Sequence, residues 1–297
     1  MSGAPTLGTL LATARRRLAE AGVDTAAIDA RLLVEAATGA SRLDFLAATD
    51  RPAAPDAAAR LDSWIDRRAA GEPVGRILGS ASFYGLDFAL GPDTLEPRPD
   101  TETLVEVALG TVRSGRIPGV SPNGDGLRLL DLGTGTGAIA VALLVKLTHS
   151  RGLAIDLSPG ALEVAKGNAT RHGVDDRLDF ALGDFFAAAT GSFNLIVSNP
   201  PYIASDVIAD LDREVRLHDP RLALDGGPDG LDAYRTILND VGQHLSPGGL
   251  LAVEIGWDQG EAVGNLFGAA GLSEIEVHRD LGGRDRVVSG LFRAQID

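Results

Sequence analysis

The chain has 297 residues, 44% of them hydrophobic, which is enough to bury a core in more than one domain, and it contains no cysteine. Disulfides, thiolate catalysis and cysteine-bound zinc are thereby excluded. Its 27 Lys and Arg stand against 41 Asp and Glu, a net charge of −14, which argues against a dedicated duplex binder and is compatible with a basic protein partner.

The longest apolar run, Gly137 to Val145, stops at Lys146 and is too short to span a bilayer. The positive cluster Arg15-Arg16-Arg17 follows an apolar stretch instead of preceding it, so the start does not read as a signal peptide, and the cytoplasm is the expected location.

In chain order, three helices come first. Leu7, Leu10, Leu11, Ala14 and Leu18 share one face of the first. Ile28, Leu32, Leu33 and Ala36 mark a second over 26–37, and Leu61, Trp64 and Ile65 a third over 55–70. Gly71-Glu72-Pro73 closes this bundle, and Arg76 to Leu90 alternates around Gly85 as a hairpin does. Pro92 to Pro99 reads as extended, with Asp100 as N-cap of a helix over 101–112 and a Gly/Pro/Ser/Asn loop over 114–126. From Leu127 onward strands and helices alternate: strands at 127–130, 153–155, 178–182, 193–197 and 250–255, helices at 138–147, 161–171, 234–245 and 261–270. That alternation predicts an α/β fold with a mostly parallel sheet covered on both faces. Two last strands, 274–278 and 286–292, have no helix between them and predict an antiparallel edge.

Asp131-Leu132-Gly133-Thr134-Gly135-Thr136-Gly137 lies between a strand and a helix, where glycines permit a tight turn and close approach to a ligand. Asp156 ends the next strand, 19 residues after Gly137, where a carboxylate can accept both hydroxyls of a ribose. The loop thus predicts a nucleoside-containing ligand. Because Gly133, Gly135 and Ala138 also satisfy the relaxed dinucleotide pattern, the loop by itself leaves S-adenosylmethionine and a nicotinamide dinucleotide both open; a packing turn without a ligand is the plain structural alternative.

The stretch after the fourth strand discriminates. In Ser198-Asn199-Pro200-Pro201-Tyr202 two prolines hold the backbone extended, so the Asn199 side-chain oxygen and the Pro200 carbonyl can point the same way. Two fixed acceptors suit an incoming NH2. Held so, an amide or aromatic amine nitrogen can aim its lone pair at the methyl of a sulfonium, with alignment and electrostatics supplying the catalysis. Tyr202 offers a flat face to the planar group. A bare double-proline turn is the competing account; its place on the ligand edge of the same sheet favours the catalytic one.

With these motifs, the chain resembles the HemK/PrmC family, the peptide chain release factor glutamine methyltransferases. Further matching strings are Gly71-Glu72-Pro73-Val74, Phe83-Tyr84-Gly85-Leu86, Pro97-Arg98-Pro99-Asp100-Thr101-Glu102, Asp225-Gly226-Gly227-Pro228-Asp229-Gly230-Leu231 and Gly283-Arg284-Asp285-Arg286-Val287-Val288. The resemblance implies a seven-stranded Rossmann-like class I methyltransferase sheet. It implies a helical N-terminal substrate-docking domain over 1–74, a β-hairpin linker over 75–96 and a methyltransferase domain over 97–297. It further implies transfer of a methyl group from S-adenosylmethionine, leaving S-adenosylhomocysteine, to the glutamine of the Gly-Gly-Gln loop of bacterial class I release factors, by a monomer without direct nucleic-acid contact. Carried over by position, Gly133, Thr134, Gly135, Thr136, Gly137, Asp156, Asp184 and Phe185 would bind the cofactor. Asn199 would touch cofactor and substrate, and Pro200, Pro201 and Tyr202 would complete the glutamine pocket. The alternative substrate for the same Pro-Pro-aromatic logic is the amino group of adenine in DNA or RNA, which calls for a basic recognition region that the sequence lacks.

Three positions depart from the family pattern. Glu96 replaces an apolar residue, while Phe185 and Tyr84 each replace a frequent Trp and keep an aromatic ring. The five histidines show no ligand spacing, and no metal is expected. Arg98 suits two roles equally, a contact to the cofactor carboxylate or a brace for the linker.

Overall fold

A computed structural model describes residues 4–293; the outermost positions of the expected 1–74 and 97–297 domains lie outside the described residues. Contacts divide the chain into two units, one running to Ser80 and including Arg213–His218, the other comprising Ala81–Asp212 and everything from Asp219.

The first unit is helical: α1 (Leu7–Glu20), α2 (Ala26–Thr38), the single turn α3 (Asp44–Ala47), α4 (Pro55–Ala69) and α5 (Val74–Leu78). A capping box starts α1, with Thr6 and Thr9 each satisfying the other's backbone N–H. Gly39, in the left-handed conformation at φ 66°, ends α2. Leu18, Leu33, Val34, Leu61, Ile65 and Ile77 form the core. The face of α2 is rotated from the one expected: Ile28 and Ala36 are exposed, and Ala30, Leu33, Val34 and Ala37 face inward beside a buried Asp29. Apolar side chains alone did not decide that face, because an ion pair competes for it. Arg68, at the end of α4, gives Nε to Asp29 Oδ2 at 2.7 Å and Nη1 to Glu214 Oε1 at 2.5 Å. Residues 76–78 are the end of α5 and not strand, since Gly79 at φ 72° terminates that helix before the hairpin begins.

The second unit opens with the hairpin β1 (Ser80–Phe83) and β2 (Leu86–Ala89). Tyr84 and Gly85, at φ 53° and 74°, make its two-residue turn, the positive-φ pair that matches strand twist. Then follow α6 (Glu102–Arg113), β3 (Arg128–Leu132), α7 (Ala138–Lys146), β4 (Arg151–Asp156), α8 (Pro159–Arg171), β5 (Leu178–Leu182) and β6 (Phe193–Ser198). After α9 (Arg213–His218), which groups with the first unit, come α10 (Asp232–His244), β7 (Leu245–Glu254), α11 (Gly260–Ala269), β8 (Leu272–Arg279) and β9 (Asp285–Phe292). Asp100 does not cap α6: it sits in a 3-10 turn at Pro99–Thr101, and its carboxylate pairs with Arg286 at 3.2 Å.

The seven-stranded sheet has the order β5-β4-β3-β6-β7-β9-β8. Five strands are parallel, and β9 runs antiparallel to both β7 and β8, forming the expected antiparallel edge. Successive residues feed opposite faces. Leu129, Leu195, Val197 and Leu250 pack with α6 and α7, whereas Leu130, Ile196, Leu251 and Val253 pack with Tyr234 and Ile237 of α10 and Val263 and Phe267 of α11. Seven consecutive residues of α7, Ala138 to Leu144, are buried, so this is a central helix and its apolar run is core. No helix among the described residues is long and apolar enough to cross a membrane.

Replacing Arg68 by Met strands the buried Asp29 carboxylate and is expected to lower unfolding free energy by about 3–5 kcal/mol. Urea unfolding of Arg68→Met beside Asp29→Leu/Arg68→Met checks this, with the double variant expected to be the more stable of the two.

Candidate functional site

Strand order reverses on either side of β3, which places a crevice at the carboxyl ends of β3 and β6. The register decides what meets there. Leu132 pairs with Ile155 on one side and with Ser198 on the other, and Asp156 pairs with Leu182. The residues that follow, Gly133, Asp156, Gly183 and Asn199, therefore emerge side by side along one edge. A cleft of about 340 Å3 opens over them.

The glycine loop is braced from below by Asp131, which is wholly buried. Its Oδ2 accepts from Thr134 Oγ1 at 2.7 Å and from the Ala140 N–H at 3.3 Å, while Oδ1 has no hydrogen-bond partner. Burial pushes this carboxyl up to about 7, against the lowering effect of those two hydrogen bonds. Gly133 and Gly135 adopt φ 70° and 56°, and a Cβ on either would meet no atom within 4 Å. Their requirement is conformational, and it leaves open space above the loop. The N–H groups of Gly133 and Thr134 are spent on the Ile155 carbonyl, at 2.9 and 3.0 Å. Asn168, fully buried on α8, holds the Thr136 carbonyl at 2.9 Å and both backbone groups of Ala89, which ties the hairpin to the glycine loop.

Asp156 is oriented before any ligand arrives. Its Oδ2 accepts from the Gly135 N–H at 2.8 Å and its Oδ1 from Ser158 N–H at 2.9 Å, leaving each oxygen one further acceptor site. Asp184 and Phe185 follow β5 on the same wall, and Phe185 holds φ 41°, an uncommon conformation for a non-glycine residue. Asn199 gives its Nδ2 to Thr101 Oγ1 at 3.3 Å, and Pro200 and Pro201 line the cleft beside it.

Gly133, Thr134, Gly135, Thr136, Asp156, Asp184, Phe185, Asn199, Pro200 and Pro201 thus share one cavity. Two residues singled out in the sequence stand outside its lining. Gly137 is the left-handed N-cap of α7, where a Cβ would come within 3.1 Å of Ala165. Tyr202 lies behind the wall, packed against the core on the α10 side, and its hydroxyl donates to Glu254 Oε1 at 3.3 Å.

The loop after Tyr202 is clamped by the Asp225–Leu231 string. Ile203 N–H donates to the Leu224 carbonyl at 3.0 Å and Gly226 N–H to the Ile203 carbonyl at 2.8 Å. A Cβ at Gly226 would stand 2.8 Å from the Pro201 carbonyl, and one at Gly230 would stand 2.4 Å from that of Tyr202. Those glycines are needed for backbone to lie on backbone. Gln259 completes the clamp, its Nε2 donating to the carbonyls of Tyr202 and Gly230 at 3.0 and 3.3 Å.

Motif inspection did not single out several residues that build the site. Asp93, Leu95 and Leu222 line the cleft, and so do Pro97, quoted only as part of a matching string, and Glu96, the residue that departs from the family pattern. Arg98 lines it too and donates to the buried Asp219 at 2.7 Å, so bracing is one of its roles. Thr101 and Glu254 are both buried. A signal for Glu254 existed, since it is a lone acid at the end of an apolar strand run, and a buried acid demands a reason. Among the described residues no group of three or more His, Asp or Glu side chains is placed to hold a metal ion.

Residues 9–79 match a family model described as the PrmC N-terminal domain, and residues 123–263 one described as a methyltransferase domain. A release factor glutamine methyltransferase from Agrobacterium fabrum is 47% identical over 97% of this chain and 98% of its own length. The chain belongs to the release factor glutamine methyltransferase family. A second family member, from Cereibacter sphaeroides, is 48% identical over 94% of this chain and 95% of its own length. The crystal structure of a methyltransferase from Pyrococcus furiosus superposes with a TM-score of 0.52 at 16% identity, covering 77% of this chain and 98% of that one, and supports the fold.

Because the folded-state pKa of Asp131 is raised above its unfolded value, the native chain binds that proton more tightly. The associated stability is present below about pH 4 and is lost as pH rises through about 7. Asp131→Asn lacks this titration. Denaturant unfolding at a series of pH values is expected to show the wild type losing stability relative to the variant across that interval and to show a constant difference above it.

Proposed function

We propose that the chain transfers the methyl group of S-adenosylmethionine to the side-chain amide nitrogen of the Gly-Gly-Gln glutamine of bacterial class I release factors. The observation that carries this reading is the shared cleft. The glycine loop, Asp156 and the Asn199-Pro200 step emerge from strands in direct register, so a nucleoside seat and an amide seat lie side by side.

The residues present fit the cofactor. Asp156 keeps acceptor capacity for two ribose hydroxyls, the loop glycines leave open space, Phe185 presents a ring on the same wall, and the cleft is of small-molecule size. Bound there, S-adenosylmethionine supplies a methyl carbon made electrophilic by its sulfonium. Asn199, one N–H of its amide given to Thr101, has Oδ1 left as an acceptor, and the Pro200 carbonyl is a second. Together they accept the two N–H groups of the glutamine amide and hold its nitrogen in one orientation. Held by the glycine loop and Asp156, S-adenosylmethionine would supply the methyl group and leave as S-adenosylhomocysteine, and the proton given up by the amide nitrogen would pass to water. Holding the amide is worth most in that transition state, where positive charge develops on nitrogen beside two fixed dipoles.

The helical first unit serves in this reading to dock the release factor, and the enzyme acts as a cytoplasmic monomer on a protein and not on nucleic acid. The net charge of −14 supports a basic protein partner over a phosphate backbone.

Incubation with methyl-labelled S-adenosylmethionine and a bacterial release factor is expected to label the factor, and to fail when the loop glutamine is replaced. Labelling of DNA or RNA but not of the factor would favour the adenine alternative. Asn199→Ala is expected to cut turnover by at least about a hundredfold while the far-UV circular dichroism spectrum is preserved; unchanged turnover removes Asn199 from the mechanism.

A further inference from the structure

β2 and the chain that follows it run antiparallel along one face of α8, and the two keep step over four contacts. His172, which ends α8, sets Nε2 2.9 Å from the Asp87 carbonyl. Asn168 accepts the Ala89 N–H at 2.8 Å and donates to the Ala89 carbonyl at 3.1 Å. Val164 lies so close to Gly91 that a Cβ on the glycine would stand 2.7 Å from its Cγ2. Gly160 lies against Asp93, where a Cβ would stand 2.0 Å from Oδ2. The helix positions are spaced by four and the chain positions by two. Four helical residues rise about 6 Å and two extended residues span about 6.6 Å, which keeps the first three contacts in register. A turn from Gly91 to Thr94, closed by the Thr94 N–H on the Gly91 carbonyl at 3.2 Å, then lays Asp93 on Gly160.

This ladder of contacts ends in the cleft. Asp93 is a lining residue, and Leu95, Glu96, Pro97 and Arg98 continue the same wall. Helix α8 itself starts beside the cleft: Asp156, Leu157 and Ser158, the last of them its N-cap, line it too. One helix therefore carries both the residues that follow β4, the ribose acid among them, and the wall made by the linker, and it sets the distance between the two. Gly91 and Val164 stand outside the lining. Gly91 does not hold a left-handed conformation, so its missing side chain answers to the close approach of Val164 and not to backbone shape.

We propose that α8 acts as a ruler for the cofactor seat, with Gly91 and Val164 as positioning residues that fix the linker wall and with it the affinity for S-adenosylmethionine. For its ligand this rests on the S-adenosylmethionine reading of the cleft, but the ladder has an observable that needs no ligand. The Ala89 N–H, held by Asn168, is followed by hydrogen exchange in the full chain. Gly91→Ala is expected to speed its exchange at least about tenfold. Gly91→Ala/Val164→Ala removes the methyl that the new Cβ would meet, and is expected to bring the rate back to within about twofold of wild type.

Binding supplies the second readout. Calorimetric titration with S-adenosylhomocysteine is expected to give a Kd raised at least about tenfold in Gly91→Ala and restored to within about twofold of wild type in Gly91→Ala/Val164→Ala. In turnover, Gly91→Ala is expected to raise KM for S-adenosylmethionine while KM for the release factor moves less than about twofold. Gly160→Ala separates positioning from stability. Alanine suits a helix better than glycine, so its urea midpoint is expected to stay at or above that of wild type. Its Kd for S-adenosylhomocysteine is nevertheless expected to rise at least about threefold, because the new methyl displaces the Asp93 carboxylate, and Asp93→Ala/Gly160→Ala is expected to bind as Asp93→Ala does. An unchanged Kd in Gly91→Ala overturns the proposal, as does a raised Kd that adding Val164→Ala fails to restore. Should Gly91→Ala not fold, an unchanged Kd in Gly160→Ala overturns it. A wild-type chain that protects the Ala89 N–H but binds no S-adenosylhomocysteine refutes the cofactor reading, and the affinity claim with it, while the exchange rates still decide the ladder.

Discussion

Parallel pairing of β3 with β4 on one side and β6 on the other is the constraint from which the rest of the site follows. Leu132 is in register with both Ile155 and Ser198. Three chain segments more than 60 positions apart in total therefore leave the sheet at the same height, and one wall of the cleft is made by each. A one-residue slip would turn every side chain on the slipped strand to the opposite face. The apolar pattern prevents that slip, since Leu129, Leu195 and Val197 belong to one core layer and Leu130 and Ile196 to the other. Function is thus secured by the same alternation that buries the sheet.

A strand end by itself would be too loose for chemistry that depends on orientation. The structure stiffens it with buried polar groups from remote segments. Asp131 and Asn168 hold the glycine loop from beneath, Gln259 and the Gly226–Gly230 backbone hold the turn at Pro201-Tyr202, and Arg286 holds Asp100 next to Thr101. Asp131, Asn168 and Gln259 find partners among backbone atoms of the site, and Arg286 finds the Asp100 carboxylate. That pattern explains motif residues such as Gly226, Gly230 and Arg286, which lie outside the cleft lining. Gly226 and Gly230 are scaffolding for the Asn199 turn and Arg286 for the linker, whereas Asp225 itself lines the cleft.

The helical unit obeys a different logic. Its core is small and aliphatic, and its interior charge, the Asp29–Arg68–Glu214 set, draws together α2, α4 and the short α9. Since α9 comes from the segment between β6 and β7, the helical unit is not continuous in sequence.

Much of this was legible in the amino-acid order alone. Strand–helix alternation after Leu127 specified a parallel sheet, because each crossover needs a helix to return the chain, and the final pair without a helix specified the antiparallel edge. Glycine spacing and the doubled proline marked the two sides of the cleft because both encode local backbone conformation, which the order of residues states directly. Burial and pairing across long separations are not local. The inward face of α2 was set by Arg68, 39 positions away from Asp29; Asp100 abandoned its capping role for Arg286; Gly137 and Tyr202 sit in motifs yet pack behind the wall. Thr101 and Glu254 acquired meaning only once folding set them against Asn199 and Tyr202. Residue order determined which backbone shapes form, whereas tertiary structure decided which polar atoms face one another, because a hydrogen bond is specified by position in space and not by distance along the chain.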